Sequence, residues 1–194
     1  MHIERPQSRQ PMPEHATKVF SGVLFDVYQW QQPMYDGSTR TFEKLKRQDA
    51  VVVLGVTTEQ KILVTIQEQP GKGPYAGLPG GHIDPNEPPH EAAIRELREE
   101  TGYEADGWEL YSALQPTSKV DWAVYYFIAK GCRPATDVAL DGGEKISVQQ
   151  LDFEQFIDFC ARPDFVETEL KLAVLEAKTD PVKLSALKTQ LLSP

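Results

Sequence analysis

Between residues 81 and 103 the chain concentrates carboxylates at helical spacing. Glu96, Glu99 and Glu100 stand at i, i+3 and i+4, which at about 100° per residue puts them within an arc of roughly 100° on one helix face. Carboxylates that close repel one another unless positive charge sits among them. Hard divalent cations such as Mg²⁺ and Mn²⁺ prefer oxygen ligands of this kind. Arg95 lies i±4 from Glu91 and Glu99, placed to pair with either and hold a ligand oxygen in orientation. A solvated, Glu-rich helix face is the structural alternative, and the three carboxylates alone do not exclude it.

The elements that would position these residues can be read from periodicity and turn residues. Residues 89–101 form the helix: Pro89 suits the first helical position and Gly102 the left-handed residue after the last turn. Ala93, Ile94, Leu97 and Thr101 occupy an adjoining face that would seat it on a sheet. Residues 18–30 alternate as a strand, a turn follows at 35–38, and residues 39–47 return as its partner. The β-branched runs 49–56 and 61–67 are buried strands; 108–114 and 120–130 are two more strands, and 145–151 is a short one. Residues 71–77, with three Gly and a Pro, are expected to be loop. Three helices, 152–160, 165–178 and 181–192, close the chain. The fold class is α/β or α+β.

The context of the helix adds a motif. Gly81, then Glu87 after five residues, then Arg95-Glu96-Leu97-Arg98-Glu99-Glu100-Thr101-Gly102-Tyr103 after seven more, resembles the box of the Nudix hydrolases. Every specified position matches except the last, where Tyr103 replaces an aliphatic packing residue. The resemblance implies an α/β/α sandwich with a mixed sheet. Within it, Glu96, Glu99 and Glu100 bind two or three Mg²⁺ (or Mn²⁺) ions with the Gly80 carbonyl, while Gly81, Glu87 and Gly102 support the box. Glu99 and Arg95 are also carried over as catalytic.

A weaker similarity points to the branch that cleaves ADP-ribose and other nucleoside diphosphate sugars. It rests on an N-terminal strand pair before residue 49, on Pro116 after the box, and on Gly143-Glu144-Lys145-Ile146. It implies a homodimer that exchanges its N-terminal strands, and Glu144 as base or extra ligand. On this reading residues 1–47 are a polar, poorly ordered lead-in plus the strand pair, and 48–194 the catalytic domain. Gln67-Glu68-Gln69-Pro70 lacks the Arg usual in that branch, so Lys72 or Arg47 is expected to contact substrate instead. Tyr28 and Trp30 are candidates for stacking on a base, acting across a dimer interface, and Trp122 is expected in the core.

Composition bounds the alternatives. A net charge of -9 argues against a general nucleic-acid surface, although a cation can reverse the sign locally. No apolar run is long enough for a membrane span. Cys132 and Cys160 make no disulfide framework and are expected as structural thiols in a reducing cytoplasm. Nucleoside triphosphates, dinucleoside polyphosphates and coenzyme A derivatives remain open as substrates, as does a domain that senses a nucleotide without cleaving it.

Overall fold

The computed structural model describes residues 3–135, 138–140, 142–143 and 145–193. It begins with β1 (Thr17–Ser21), β2 (Asp26–Pro33) and β3 (Thr39–Lys46), a small antiparallel sheet whose outer edge takes the short β10 (Val120–Asp121) beside β3. The strand expected over 18–30 is therefore two. Gly22 donates its N–H to the Phe25 carbonyl, and the chain reverses there.

The main sheet runs β12-β5-β4-β11, with β8 and β9 on the far side of β11. Here β4 is Ala50–Thr57, β5 Ile62–Gln69, β8 Tyr103–Glu104, β9 Gly107–Leu114, β11 Val124–Pro134 and β12 Lys145–Leu151. β4 and β11 are parallel and the rest antiparallel, so the sheet is mixed. Alternation in its two central strands assigns the faces. Val52, Leu54, Val56, Tyr126 and Ile128 pack under helices α2 (Phe153–Cys160), α3 (Thr168–Lys178) and α4 (Pro181–Leu192). Val51, Val53, Tyr125 and Phe127 pack under α1 (Pro89–Thr101) through Ala92, Ala93 and Leu97. Helices on both faces of a mixed sheet make the α/β/α sandwich.

One departure from the sequence reading shapes the site. Residues 72–77, expected as loop, are strand β6 (Lys72–Gly77) on the edge of β5, entered by a two-residue Pro70-Gly71 turn in which Gly71 has φ 78°. Proline first and a left-handed glycine second is a type II pairing, which makes a hairpin of a stretch whose glycines read as coil. Pro74 is tolerated because β6 is an edge strand. β4 and β5 pair with each other only at Val56 and Ile62; further along, β4 takes β7 (Gly80–His82) and β5 takes β6. The two central strands splay around β6 and β7, and a cleft opens there.

The N-terminal segment is docked, in contrast to the disorder expected of it. Arg5 grips Asp49 at 2.7 and 2.9 Å and reaches Asp121 at 3.0 Å. Lys44, 2% exposed, donates to Ser8 Oγ and the Gln10 carbonyl at 2.7 Å. Both cysteines are buried free thiols, and burial pushes each up to about 12. Among the described residues no helix is long and apolar enough to cross a membrane.

Candidate active site

Helix α1 starts after Pro88, held extended at φ -66°, ψ 143°, and ends at Gly102 in the left-handed region at φ 73°. Its buried face is Ala92, Ala93, Leu97 and Thr101; Ile94, expected on that face, is 39% exposed, and Ala92 takes its place. Glu100 also points inward, 5% exposed, and its Oε2 accepts the Gly80 N–H at 2.9 Å. Strand β7 lies so close that a side chain at either of its first two positions would collide. A Cβ on Gly81 would sit 2.4 Å from Glu96 Oε1, and one on Gly80 would sit 2.3 Å from the Val51 carbonyl oxygen. The backbone thereby comes against the carboxylates with no side chain between.

Arg95 organises the acidic cluster. Its Nε and Nη2 hold Glu87 in a fork at 2.9 Å each, Nη2 also donates to the His82 carbonyl, and Nη1 reaches Glu96 at 2.8 Å and Glu99 at 3.1 Å. Glu99 is one of the two i±4 partners that spacing allowed; the other, Glu91, is not engaged by Arg95 in any of these bonds. Glu87 accepts the Asp84 N–H as well. Hydrogen bonds from Arg95 hold the Glu87 carboxyl below the usual carboxylate range, and those same bonds, Glu87's first, raise the guanidinium further. Glu87 and Arg95 are thus a fixed pair bracing the loop to the helix.

Among the described residues, no three His, Cys, Asp or Glu side chains converge closely enough to hold an ion as they stand. The position between Glu96 and Glu99 is nevertheless one where positive charge resides, since a guanidinium nitrogen bridges them. The donors are oxygens, and the glycine cradle leaves backbone beside them. The chemistry of the set fits a hard divalent cation.

The cleft between the splayed strands is a cavity of about 820 Å³, with Glu96, Glu99, Glu100 and Arg95 on its floor. One wall carries Arg47, His82, Pro116 and Trp122. The Arg47 guanidinium lies 4.7 Å from the centre of the Trp122 ring and touches His82 Nε2. Burial, and then the Arg47 guanidinium, lowers the His82 pKa below that of a free imidazole. Arg47 Nε and Trp122 Nε1 are buried donors without a hydrogen-bond partner among the described residues. The lining further along carries Gln67, Lys72, Tyr75, Tyr126 and Glu167. Tyr75 donates its hydroxyl to Gln67 at 2.9 Å, and the Lys72 ammonium lies over the Tyr75 ring.

Of the residues singled out from sequence, the structure gathers Gly80, Gly81, Arg95, Glu96, Glu99, Glu100, Arg47 and Lys72 around this cavity. Tyr28 and Trp30 lie elsewhere, in the N-terminal sheet, where Trp30 is 5% exposed and packs edge-on against Phe42. Glu144 lies outside the described residues. Trp122, expected in the core, packs against it and also faces the cavity. Tyr126, Glu167 and His82 were not foreseen. Tyr126 sits in an apolar strand like any core residue, and nothing in the sequence near Glu167 marks it.

Fold, glycine cradle and acidic helix define an α/β/α phosphoanhydride hydrolase. A NUDIX domain model matches residues 46–172, and the chain belongs to that family; it is a Nudix pyrophosphohydrolase. It is 28% identical over 160 residues to the ADP-ribose pyrophosphatase of Bacillus subtilis (strain 168), covering 81% of this chain and 86% of that protein. It is 27% identical over 160 residues to the methanol dehydrogenase activator of Bacillus methanolicus, with the same coverage. In fold it is similar to a crystal structure of an ADP compounds hydrolase, with a TM-score of 0.69 at 21% identity, covering 92% of this chain and 95% of that one.

Proposed function

We propose that the chain hydrolyses the pyrophosphate of a nucleoside diphosphate sugar, ADP-ribose or a close relative, to a nucleoside monophosphate and a sugar phosphate. The observation that carries the reading is the approach of the Gly80-Gly81 backbone to Glu96 and Glu100 at the floor of a cavity with basic and polar walls. Glu96, Glu99, Glu100 and the Gly80 carbonyl would hold Mg²⁺, or Mn²⁺, as two or three ions. Bound there, the ions supply positive charge to the phosphate oxygens and acidify a water.

The chain's own residues do the rest. Arg95, braced by Glu87, fixes the carboxylates of Glu96 and Glu99. Arg47 and Trp122 offer two buried, unpartnered donors to phosphate oxygens or the nucleoside. Lys72 adds charge further along the lining, and Glu144 takes the proton of the attacking water. The names of the Bacillus subtilis relative and of the structural neighbour support an adenosine diphosphate compound as substrate. A homodimer joined through the N-terminal sheet, with Tyr28 near the partner's cavity, completes the reading.

Incubation with Mg²⁺ and ADP-ribose, ADP-glucose, GDP-mannose or UDP-glucose, followed by phosphorus NMR, tests it: at least one is cleaved to a monophosphate pair. Absence of turnover with all four overturns it. Glu100→Gln should lower kcat by about two orders of magnitude or more with its thermal melt retained, as expected for a charged group acting on the transition state.

A further inference from the structure

The cavity lining near Tyr126 holds a carboxylate, Glu167, that the proposed reaction does not use. Glu167 occupies the N-cap position of α3, and the backbone before it is tied to β6. Behind it, Val166 donates its N–H to the Ala76 carbonyl at 3.0 Å, Ala76 donates to Asp164 at 3.1 Å, and Phe165 bridges Ala76 on β6. In front, the Tyr126 hydroxyl donates to Glu167 Oε2 at 3.4 Å.

Sheet register places this group relative to the floor. Tyr126 pairs with Val52, and Val52 with Gly80, whose N–H holds Glu100. Two strand spacings separate the Tyr126 and Gly80 backbones, about 10 Å. Glu167 lines the same cavity as Glu96, Glu99 and Glu100 without being bonded to any of them in the hydrogen bonds described. It lies beside Glu169 and Val166, which line the same part of the cavity. Gln67 cannot supply donors there freely, because its amide is engaged by Thr65, Leu78 and Tyr75.

Glu167 and Glu169 together accept hydrogen bonds and disfavour an anion placed directly beside them. Among the described residues lining that part, the cation is Lys72, packed over Tyr75. A terminal phosphate would meet two carboxylates. A sugar would present several hydroxyl donors to them and its C–H surface to Val166. Burial pushes Glu167 up to about 7, and in either protonation state it retains an oxygen that can accept from a hydroxyl.

We propose that Glu167, positioned by Tyr126 and the β6 edge, binds the hydroxyls of the sugar on the distal phosphate and selects an uncharged, hydroxylated end group. The proposal rests on the functional reading above. It is tested by comparing ADP-ribose with the ethyl ester of ADP, which keeps the anhydride and the nucleoside but lacks those hydroxyls. Glu167→Ala should lower kcat/KM for ADP-ribose roughly tenfold or more while changing the ethyl ester by less than about twofold, as for loss of hydrogen bonds to a carboxylate. Glu167→Gln, which keeps an acceptor and the volume, should fall between and guards against a folding defect in the alanine variant. Equal losses on both substrates, no loss on ADP-ribose, or wild-type preference for the ethyl ester would overturn the inference alone. Cleavage of neither by the wild-type chain overturns the functional reading, and the inference with it.

Discussion

At the scale of single residues, the site depends on groups that are absent as much as on those present. Gly81 has no Cβ because Glu96 occupies the space one would need, 2.4 Å away. Gly81→Ala should therefore displace the Glu96 carboxylate while leaving β7 paired to β4. We expect kcat to fall about 10²-fold, the scale of a misplacement of about 1 Å in a reacting centre, with the melting temperature changed by only a few degrees. A variant with wild-type kcat would show that Glu96 tolerates the shift and is not a ligand.

Glu167 gives a second residue-scale prediction, in stability. Its carboxyl stands at about 7 in the folded chain because burial disfavours the charge, an effect only partly offset by the Tyr126 hydroxyl; its ordinary value is 4.5. Between those values the folded state binds more protons than the unfolded one, so the wild-type chain loses stability as pH rises through that window. Glu167→Gln removes the loss. Relative to wild type it should gain roughly 1–3 kcal/mol at pH 8 and much less at pH 5, read by denaturant unfolding. A gain that is the same at both pH values would mean that the carboxylate is solvated. A binding residue that costs stability above its own pKa is the pattern expected where function and packing compete.

At the scale of elements, the N-terminal segment acts as a strap across the start of β4 and β10. Arg5 joins Asp49 and Asp121, Asp49 in turn accepts the Ala123 N–H at 2.8 Å, and Gln115 donates to the Pro6 carbonyl at 2.9 Å. The loops tied this way carry Arg47 and Trp122 to the cavity wall. Arg5→Ala should cost about 1–2 kcal/mol, or roughly 2–6 °C in Tm for a chain of this size, because a two-aspartate fork exceeds a single exposed pair. Arg162→Ala, which breaks an exposed contact to Asp164 two residues away, is the control and should cost less than about 1 kcal/mol. Equal effects would reduce the strap to surface decoration.

The strap also shows where sequence stopped being informative. α1, β12 and α4 are read with their observed bounds because local signals agree: Pro at the start of both helices, Gly after α1, and period-two alternation in β12. The acidic face of α1 was legible for the same reason, since 3.6-residue periodicity is a property of the helix itself. Contacts between distant segments were not. Arg5 to Asp121 spans 116 positions, and Tyr126 to Glu167 spans 41. Neither leaves a periodic trace. β6 failed differently: a Pro70-Gly71 turn and edge pairing outweighed glycine and proline contents that usually mark a loop. Trp122 packs on the core as expected but also faces the cavity, because the run read as one strand over 120–130 breaks between β10 and β11.

At the scale of the whole molecule, the N-terminal sheet stands out by what it leaves uncovered. Phe20 is 60% exposed and Leu24 48%, and Val23 and Tyr35 are fully exposed; the strand that carries Phe20, β1, is an outer edge of its sheet. An apolar edge strand of this kind is a template for pairing with another chain. A second copy of the same chain is the partner we propose, because Tyr28 lies in this sheet and away from its own cavity. Phe20→Ser together with Val23→Asp should shift sedimentation at micromolar concentration from dimer to monomer. If the partner's Tyr28 completes the nucleoside site, the monomer should show KM for ADP-ribose raised roughly tenfold, a stacking contact's worth or more, with kcat retained, since Glu96, Glu99 and Glu100 are all contributed by one chain. A monomeric wild-type chain would overturn the assembly. A monomeric variant with unchanged KM would confine the sheet to assembly and return base recognition to Arg47 and Trp122 within the one cavity.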